Sequence, residues 1–372
     1  MKKVISAGHI CLDITPVFSP AVTGKSTKEL FLPGHLIQTE NVKISLGGSV
    51  ANTGLALQLL GADVTLLCKA GTDELGDLIE AELKKRSAKG LIRDRLSTTS
   101  YSVVLAVPGQ DRIFLHCPGA NSTFSERDIP DSVFEGCSLL HFGYPPLMKK
   151  MYANSGEELK TLFSRAHKAG CAVSLDMAAI DPSSEAGQQD WQAFLENILP
   201  ETDLFLPSFE ELCFMLDRNL YERLSARGGD MISLVDPERD AAPLAEKCLA
   251  MGCGVCVVKC GTGGLYYACG GGEKLERAAR CTGFDVSRWQ NRKGLQPCFA
   301  AEKTVSATGC GDTAIAAFLA ALLEGRGPEE CARLAAAEGA CCVTAVDALS
   351  GLETLEALDA RIRKGWKTYR MI

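Results

Sequence analysis

Ser306-Ala307-Thr308-Gly309-Cys310-Gly311-Asp312-Thr313 runs without a break into the apolar segment 314–323. From Ala314, residues Ala317, Phe318, Ala321 and Leu322 recur at helical spacing, which predicts a helix that begins near Cys310 and carries one continuous apolar face. Its other faces are mostly Ala, Ile and Leu, so the helix belongs inside the fold; Gly325 stops it and Gly327-Pro328 starts the next. A buried helix N-terminus lined by Gly309 and Gly311 offers unpaired N–H groups to an anion. Asp312 aims a carboxylate at the same place. A phosphate cradle accepts such an acid only if it has a chemical task, such as taking a proton from an attacking hydroxyl.

The rest of the chain sets bounds on that reading. At 372 residues, with 46% apolar and 23% charged residues, it has the length and composition of one large α/β domain or two smaller ones. The formal net charge of −7 and the lack of any long Lys/Arg block argue against nucleic acid or an anionic membrane as partner. No apolar run reaches membrane-spanning length, and the opening Met1-Lys2-Lys3-Val4-Ile5-Ser6-Ala7-Gly8 breaks too early for a secretory signal, so a cytoplasmic protein is expected. Seventeen cysteines, odd in number and mostly inside apolar runs, read as small core residues rather than a disulfide framework.

Along the chain, β and α signals alternate. A strand over 3–14, a helix ending at Gly61, a strand over 64–69 and a helix over 74–86 open the pattern. Strands are expected again near 138–142, 172–176, 202–206 and 255–259, with helices near 155–169, 188–199, 209–217 and 241–251. Two stretches break the rhythm: residues 15–46, rich in Pro, Gly and Thr, and residues 99–117, where a period of two on either side of Pro108-Gly109 predicts a hairpin. The polar stretch 218–238, with Arg227-Gly228-Gly229-Asp230, reads as a loop or added helix, and 270–297 as an insertion or hairpin. Helices near 329–345 and 352–365 close the chain.

Gly47-Gly48-x-x-x-Asn52, set beside Thr308-Gly309-Cys310-Gly311-Asp312, resembles the two signature regions of the PfkB/ribokinase family of carbohydrate kinases. Gly8-x-x-x-x-Asp13, Gly71-Thr72-Asp73-x-x-Gly76, the hairpin, Pro207-Ser208-x-x-Glu211 and Lys259-x-Gly261-x-x-Gly264 follow in the family's order. The resemblance implies a single α/β domain over 1–372, ribokinase-like and doubly wound, with a mostly parallel central sheet flanked by helices. A small β-lid would be built from about 15–46 and 97–122. It also implies ATP-dependent phosphorylation of a sugar hydroxyl. Asp312 would be the base, ionised at neutral pH beside the helix N-terminus, and the backbone of Gly309, Cys310 and Gly311 the anion hole.

By the same resemblance Asp13, Gly47, Gly48 and Asn52 hold sugar hydroxyls, with Arg112, Asn121 and Tyr144 at the pocket wall. Ser208, Lys259, Gly261, Gly264 and Thr308 fall on the nucleotide side. Glu211 would order Mg²⁺ through water, without the amide many members carry at Ser208. Ser306 stands where many members have an acid that holds a monovalent cation, so that cation would lack its usual ligand. Sugar and ATP are the implied partners, together with a second copy of the chain through the β-lid. A nucleoside kinase of the same family, a dinucleotide-dependent oxidoreductase built on Gly309-x-Gly311-x-x-Ala314 and a non-catalytic sugar-binding regulator are the competing readings.

Three motifs are set aside. Gly24-Lys25-Ser26 imitates the end of a Walker A loop but lacks its first glycine. Cys253-x-x-Cys256-x-x-x-Cys260 lies on an apolar strand rather than at a zinc site. Asn121-Ser122-Thr123 matches a glycosylation sequon that a cytoplasmic protein would not use.

Overall fold

The computed structural model describes residues 2–110, 112–228 and 231–369. Strands β1 (Lys3–Gly8), β2 (Cys11–Phe18), β3 (Thr39–Gly47), β4 (Asp63–Gly71), β5 (Leu91–Asp94), β6 (Tyr101–Leu105) and β7 (Ile113–Cys117) come first. They are followed by β8 (Cys137–Gly143), β9 (Ala172–Asp176), β10 (Leu204–Phe205), β11 (Val255–Lys259), β12 (Leu265–Cys269) and β13 (Lys293–Gln296). Among the described residues these form a nine-stranded sheet in the order β13-β12-β11-β10-β9-β8-β1-β4-β5 and a four-stranded sheet in the order β3-β2-β6-β7. The large sheet is parallel from β5 to β11, and β12 and β13 add an antiparallel edge.

Successive strand residues point to opposite faces, so each central strand feeds two cores. Ile5, Leu140, Val173 and Phe205 join one cluster with Leu159, Phe163 and Phe209. Val4, Leu139, Ala172 and Leu204 join the other, with Ile315, Phe318 and Leu334. The helix Cys310–Leu323 is buried from Asp312 to Leu322, as its all-round apolar sequence predicts. The chain leaves β1 for β4 and β5 on one side and for β8 to β11 on the other. The strand order therefore reverses between β1 and β8, and ligands of open α/β sheets sit outside the carboxyl ends at such a point.

The expected strand over 3–14 is two strands: the chain turns at His9-Ile10, leaving β1 in the large sheet and β2 in the small one. Residues 270–297, expected as an insertion or hairpin, are regular structure instead. They form the helices Glu273–Thr282 and Val286–Trp289 and the edge strand β13. Leu275, Ala278 and Ala279 pack the first of these helices onto the core. That helix begins directly after Gly270-Gly271-Gly272, and these glycines hide its start in the sequence. The helix expected over 155–169 starts earlier, at Lys149, with a kink from Ala153 to Gly156 that interrupts its periodicity. In the polar stretch 218–238 the structure forms the helix Arg218–Ser225, while Gly229 and Asp230 lie outside the described residues. No helix among the described residues is long and apolar enough to cross a membrane.

One buried acid makes the stability pH-dependent. Glu338, on the helix Pro328–Cys342, is fully buried; its Oε2 accepts a hydrogen bond from the Glu353 N–H at 3.3 Å, while Oε1 has no partner. Burial pushes its carboxyl up to about 8 from an ordinary value of 4.5, opposed by the hydrogen bond from the Glu353 N–H and aided by the Glu353 charge. Between those values the folded chain keeps a proton that the unfolded chain has released, so stability present below pH 4.5 is lost as pH rises through about 8. Glu338→Gln, neutral throughout, is expected to melt higher than the parent at pH 8–9 and to lose that advantage near pH 4. Thermal melts across this range check it; a constant difference would show that Glu338 does not titrate in the window.

Candidate active site

Asp312 is the third residue of its helix and 3% exposed. The helix is entered through Gly309 at φ 75°, a left-handed conformation natural to glycine, and a Cβ there would lie 2.4 Å from the Ala348 side chain. Ser306 ties the approach: its hydroxyl accepts from Thr308 N at 3.2 Å and donates to Thr308 Oγ1 at 3.2 Å. Cys310 N–H donates to Ala307 O at 3.4 Å, so this member of the expected anion hole also closes a turn. Gly311 and Asp312 follow at the head of the helix, where backbone N–H groups lack intrahelical acceptors.

Three donors converge on the Asp312 carboxylate. Asn52 Nδ2 donates to Oδ2 at 2.9 Å, Thr53 Oγ1 to Oδ1 at 3.4 Å, and the Tyr144 hydroxyl reaches Oδ1 at 2.9 Å and Oδ2 at 2.8 Å. Burial raises the Asp312 pKa, and the bonds from Asn52, Tyr144 and Thr53 and the charge of Lys259 pull against that rise. The sequence leads to an acid ionised by the helix N-terminus alone; in the structure burial pushes against the charged form, and Asn52, Tyr144, Thr53 and Lys259 support it. Asn52 and Thr53 sit on the first turns of the helix Ser49–Leu59, which starts after Gly48 at φ 87°. The Gly47-Gly48 signature and the Gly309–Asp312 signature therefore face one another across a hydrogen bond.

Asp13 projects from β2, and its carboxylate lies where a Cβ on Gly47 would be, 2.5 Å from Oδ2. Gly47 is thus required by the close passage of Asp13. Burial raises the Asp13 pKa, opposed by bonds from Cys11 and Ser102 and by the charge of Arg112. Arg112 extends from the hairpin towards the other half of the site, with Nη1 3.4 Å from Ser306 Oγ. Asn121 behaves differently from expectation. It is fully buried, donating from Nδ2 to Ile10 O at 2.8 Å and accepting from Ile10 N at 3.3 Å, so both ends of its amide brace the turn between β1 and β2.

On the other side, Lys259 at the end of β11 donates to Asp176 Oδ1 at 2.5 Å and to Leu206 O at 2.6 Å, and its aliphatic stem runs beside Gly311. Burial works against the ammonium, but Asp176 and Glu211 together raise its pKa. Glu211 Oε2 accepts from Ser208 N at 2.7 Å, and Ser208 Oγ accepts from Glu211 N at 3.3 Å, a reciprocal cap that starts the helix Phe209–Leu216. Gly261 and Gly264 shape the turn from β11 to β12; a Cβ on Gly264 would strike Gln296 O on β13. Among the described residues no group of three or more His, Cys, Asp or Glu is arranged to hold a metal ion. A divalent cation here would bind through water and phosphate oxygens with one or two carboxylates, the usual habit of Mg²⁺. A cavity of about 310 Å³ opens beside Asn52, bounded by Leu46, Leu55, Arg86, Asp347 and Ala348.

Sequence reading missed His9, Ser102 and Asp176. His9 is buried between the two sheets with neither ring nitrogen hydrogen-bonded, its ring 5.1 Å from His116 and 6.1 Å from Tyr144. Ser102 Oγ meets His116 Nδ1 at 3.0 Å. Asp176 ends a core strand as Lys259 does, a placement legible only once both strands are known to be parallel. The dinucleotide fingerprint fails: no strand of the described structure leads into Gly309.

The chain resembles known proteins in sequence and in fold. The sequence profile of the pfkB family carbohydrate kinases matches residues 10–355. The chain belongs to that family. It is similar to a sugar kinase of Archaeoglobus fulgidus, 24% identical over 299 residues, covering 80% of this chain and 98% of that one. A 2-dehydro-3-deoxygluconokinase of Bacillus subtilis is 23% identical over 331 residues, covering 87% and 89%. Among solved structures, ribokinase from Thermotoga maritima has a TM-score of 0.69 at 20% identity, covering 98% of this chain and 100% of that one. Arabidopsis thaliana ribokinase complexed with ribose and ATP gives 0.68 at 19%, covering 96% and 97%. The pfkB kinase shares with them a ribokinase fold: a mostly parallel sheet flanked by helices, with a small second sheet.

Proposed function

We propose that this pfkB kinase transfers the γ-phosphoryl group of ATP to a hydroxyl of a sugar or sugar derivative. The observation that carries the reading is the meeting of Asn52 with Asp312, which joins a polyol-binding face to a helix N-terminus. Asp13 and Asn52 accept from and donate to sugar hydroxyls, and Asp312 takes the proton of the attacking hydroxyl. The oxygen of that sugar hydroxyl bonds to the γ-phosphorus while the bond from the γ-phosphorus to the ADP oxygen breaks. The Gly309–Gly311 backbone and Lys259 face the negative charge that spreads over the transferred group. Mg²⁺, when bound, neutralises phosphate charge, with Glu211 as its water-bridged partner.

The rings of His9, His116 and Tyr144 crowd the sugar side, and this aromatic wall keeps a nucleoside acceptor as the second reading. An ADP-release screen over pentoses, hexoses, keto-sugar acids and nucleosides tests both. Release above the water background with a sugar supports the first, and release with nucleosides alone supports the second. No release with any of them, while sugar binding persists, would turn the chain into a sugar-binding regulator.

We also propose that two copies pair through the small sheet. Ile44, Ile14, Val103 and Leu115 lie in one row across its four strands, and Ile44 and Leu115 are 51% and 56% exposed. Such a contiguous apolar row on one sheet face marks an interaction surface. Ile44→Lys with Leu115→Lys is expected to convert a dimer to a monomer in sedimentation; an unchanged mass would remove the proposal.

A further inference from the structure

Tyr144 directly follows β8 in a conformation that tyrosine avoids. Its backbone is left-handed, at φ 67° and ψ 42°, and it is followed by the buried pair Pro145-Pro146. A bulky residue there costs free energy unless its surroundings hold it, and such outliers gather at functional sites. The surroundings do hold it: Tyr144 N–H donates to Asp176 O at 3.3 Å, and Leu147 N–H donates to Tyr144 O at 3.0 Å. The result is a phenol delivered to within 2.8 and 2.9 Å of the two oxygens of the Asp312 carboxylate.

We infer that Tyr144 is a positioning residue for the phosphoryl transfer: its phenol holds the Asp312 carboxylate aimed and ionised, and the strained turn at Gly143-Tyr144-Pro145 serves to deliver it. The wall position expected from sequence gave Tyr144 contact with substrate; this role acts through Asp312 and rests on the kinase reading of the site. A carboxylate offers roughly four lone-pair directions. Asn52, Thr53 and Tyr144 take three of them, so about one remains for the acceptor hydroxyl. The hydroxyl's direction of approach is thereby selected.

The phenol itself keeps its proton throughout. Burial, together with Asp312, Asp176 and Glu211, raises its pKa well above that of free tyrosine, so it acts only as a donor. The other titratable and charged groups facing Asp312 are Lys259, Asp13, Asp176, Cys310 and Cys342, with Arg112 beside Asp13 and Cys310. Lys259 favours the carboxylate. Asp13 and Asp176 oppose it. Losing the phenol leaves this balance with one fewer donor, so the Asp312 midpoint must rise.

The test is Tyr144→Phe, which keeps the ring. Asp312 is followed by NMR in protein labelled with ¹³C at the aspartate carboxyl, its signal identified by its loss in Asp312→Asn. The midpoint is expected to rise by about one to two pH units, the worth of a hydrogen bond to a charged group. In the kinase assay the acid limb of kcat/KM should move up by the same amount. If Tyr144→Phe does not fold, fluorotyrosine at position 144 replaces it; a more acidic phenol donates more strongly, and the midpoint should fall. An unmoved midpoint, or a higher KM for sugar with an unmoved acid limb, overturns the inference. A moved midpoint in a protein that transfers no phosphate upholds the hold of Tyr144 on Asp312 and sinks the kinase reading instead.

Discussion

Asp312→Asn is expected to lower kcat by roughly 10²–10⁴-fold, the usual contribution of a positioned base, while the protein stays folded and keeps its sugar affinity. The amide cannot accept the acceptor's proton, yet it fills the same volume at the head of a helix whose remaining buried residues are apolar or small. Two effects on stability oppose each other. Removing a carboxylate whose pKa burial has raised relieves a desolvation cost, whereas an amide NH₂ must now share space with the donors Asn52, Thr53 and Tyr144. Melting temperature and calorimetric sugar binding should therefore change little beside the loss in ADP release. Near-normal turnover would remove Asp312 as the base. With Asp312 as the base, burial is expected to shift the acid limb of the parent upward from the ordinary aspartate value, with activity falling as pH drops through it.

Lys259→Met is expected to be the most damaging single change to stability, at about 3–5 kcal/mol, because it strands a buried charge. The side chains of Lys259 and Asp176 are 13% and 2% exposed and lie 2.5 Å apart. Asp176 alone would face Glu211 and Asp312 with no cation, and burial already raises its pKa well above the usual range. It would take up a proton, so the loss should be larger at pH 8 than at pH 5. Lys259→Met combined with Asp176→Asn should recover most of the stability, since a neutral pair leaves no charge unpaired. Turnover should not recover with it if, as proposed, the Lys259 charge serves the phosphoryl transfer; its stem lies against Gly311. Urea unfolding of the two variants at both pH values decides the matter. A double variant no more stable than Lys259→Met would show that Lys259 matters chiefly through its bond to Leu206 O.

The chain's own letters carried the helix Cys310–Leu323, since the uninterrupted apolar run over 314–323, entered through Gly309 and Gly311, leaves no other element open. They carried most of the parallel strands for the same reason: short apolar runs between turn residues are read locally. They did not carry the helix Glu273–Thr282, where three preceding glycines hide a face seen only in packing, nor the division of 3–14 between two sheets. Asn121 shows how residue type misleads: an amide next to a hairpin suits a sugar, but the turn at Ile10 has a buried N–H and C=O that the same amide satisfies.

What the sequence determined by itself is the α/β order, which rests on local spacing that the backbone must obey, and, through the resemblance of its two glycine signatures to known ones, the family. Only the tertiary structure decided which groups meet. Asn52 and Asp312 are 260 positions apart, and the Tyr144 phenol reaches Asp312 across 168. Such contacts depend on strand order and on the reversal between β1 and β8, which no periodicity records. The same holds for charge: burial sets the direction of the Asp312, Asp176 and Glu338 shifts, and burial is a property of the packed chain.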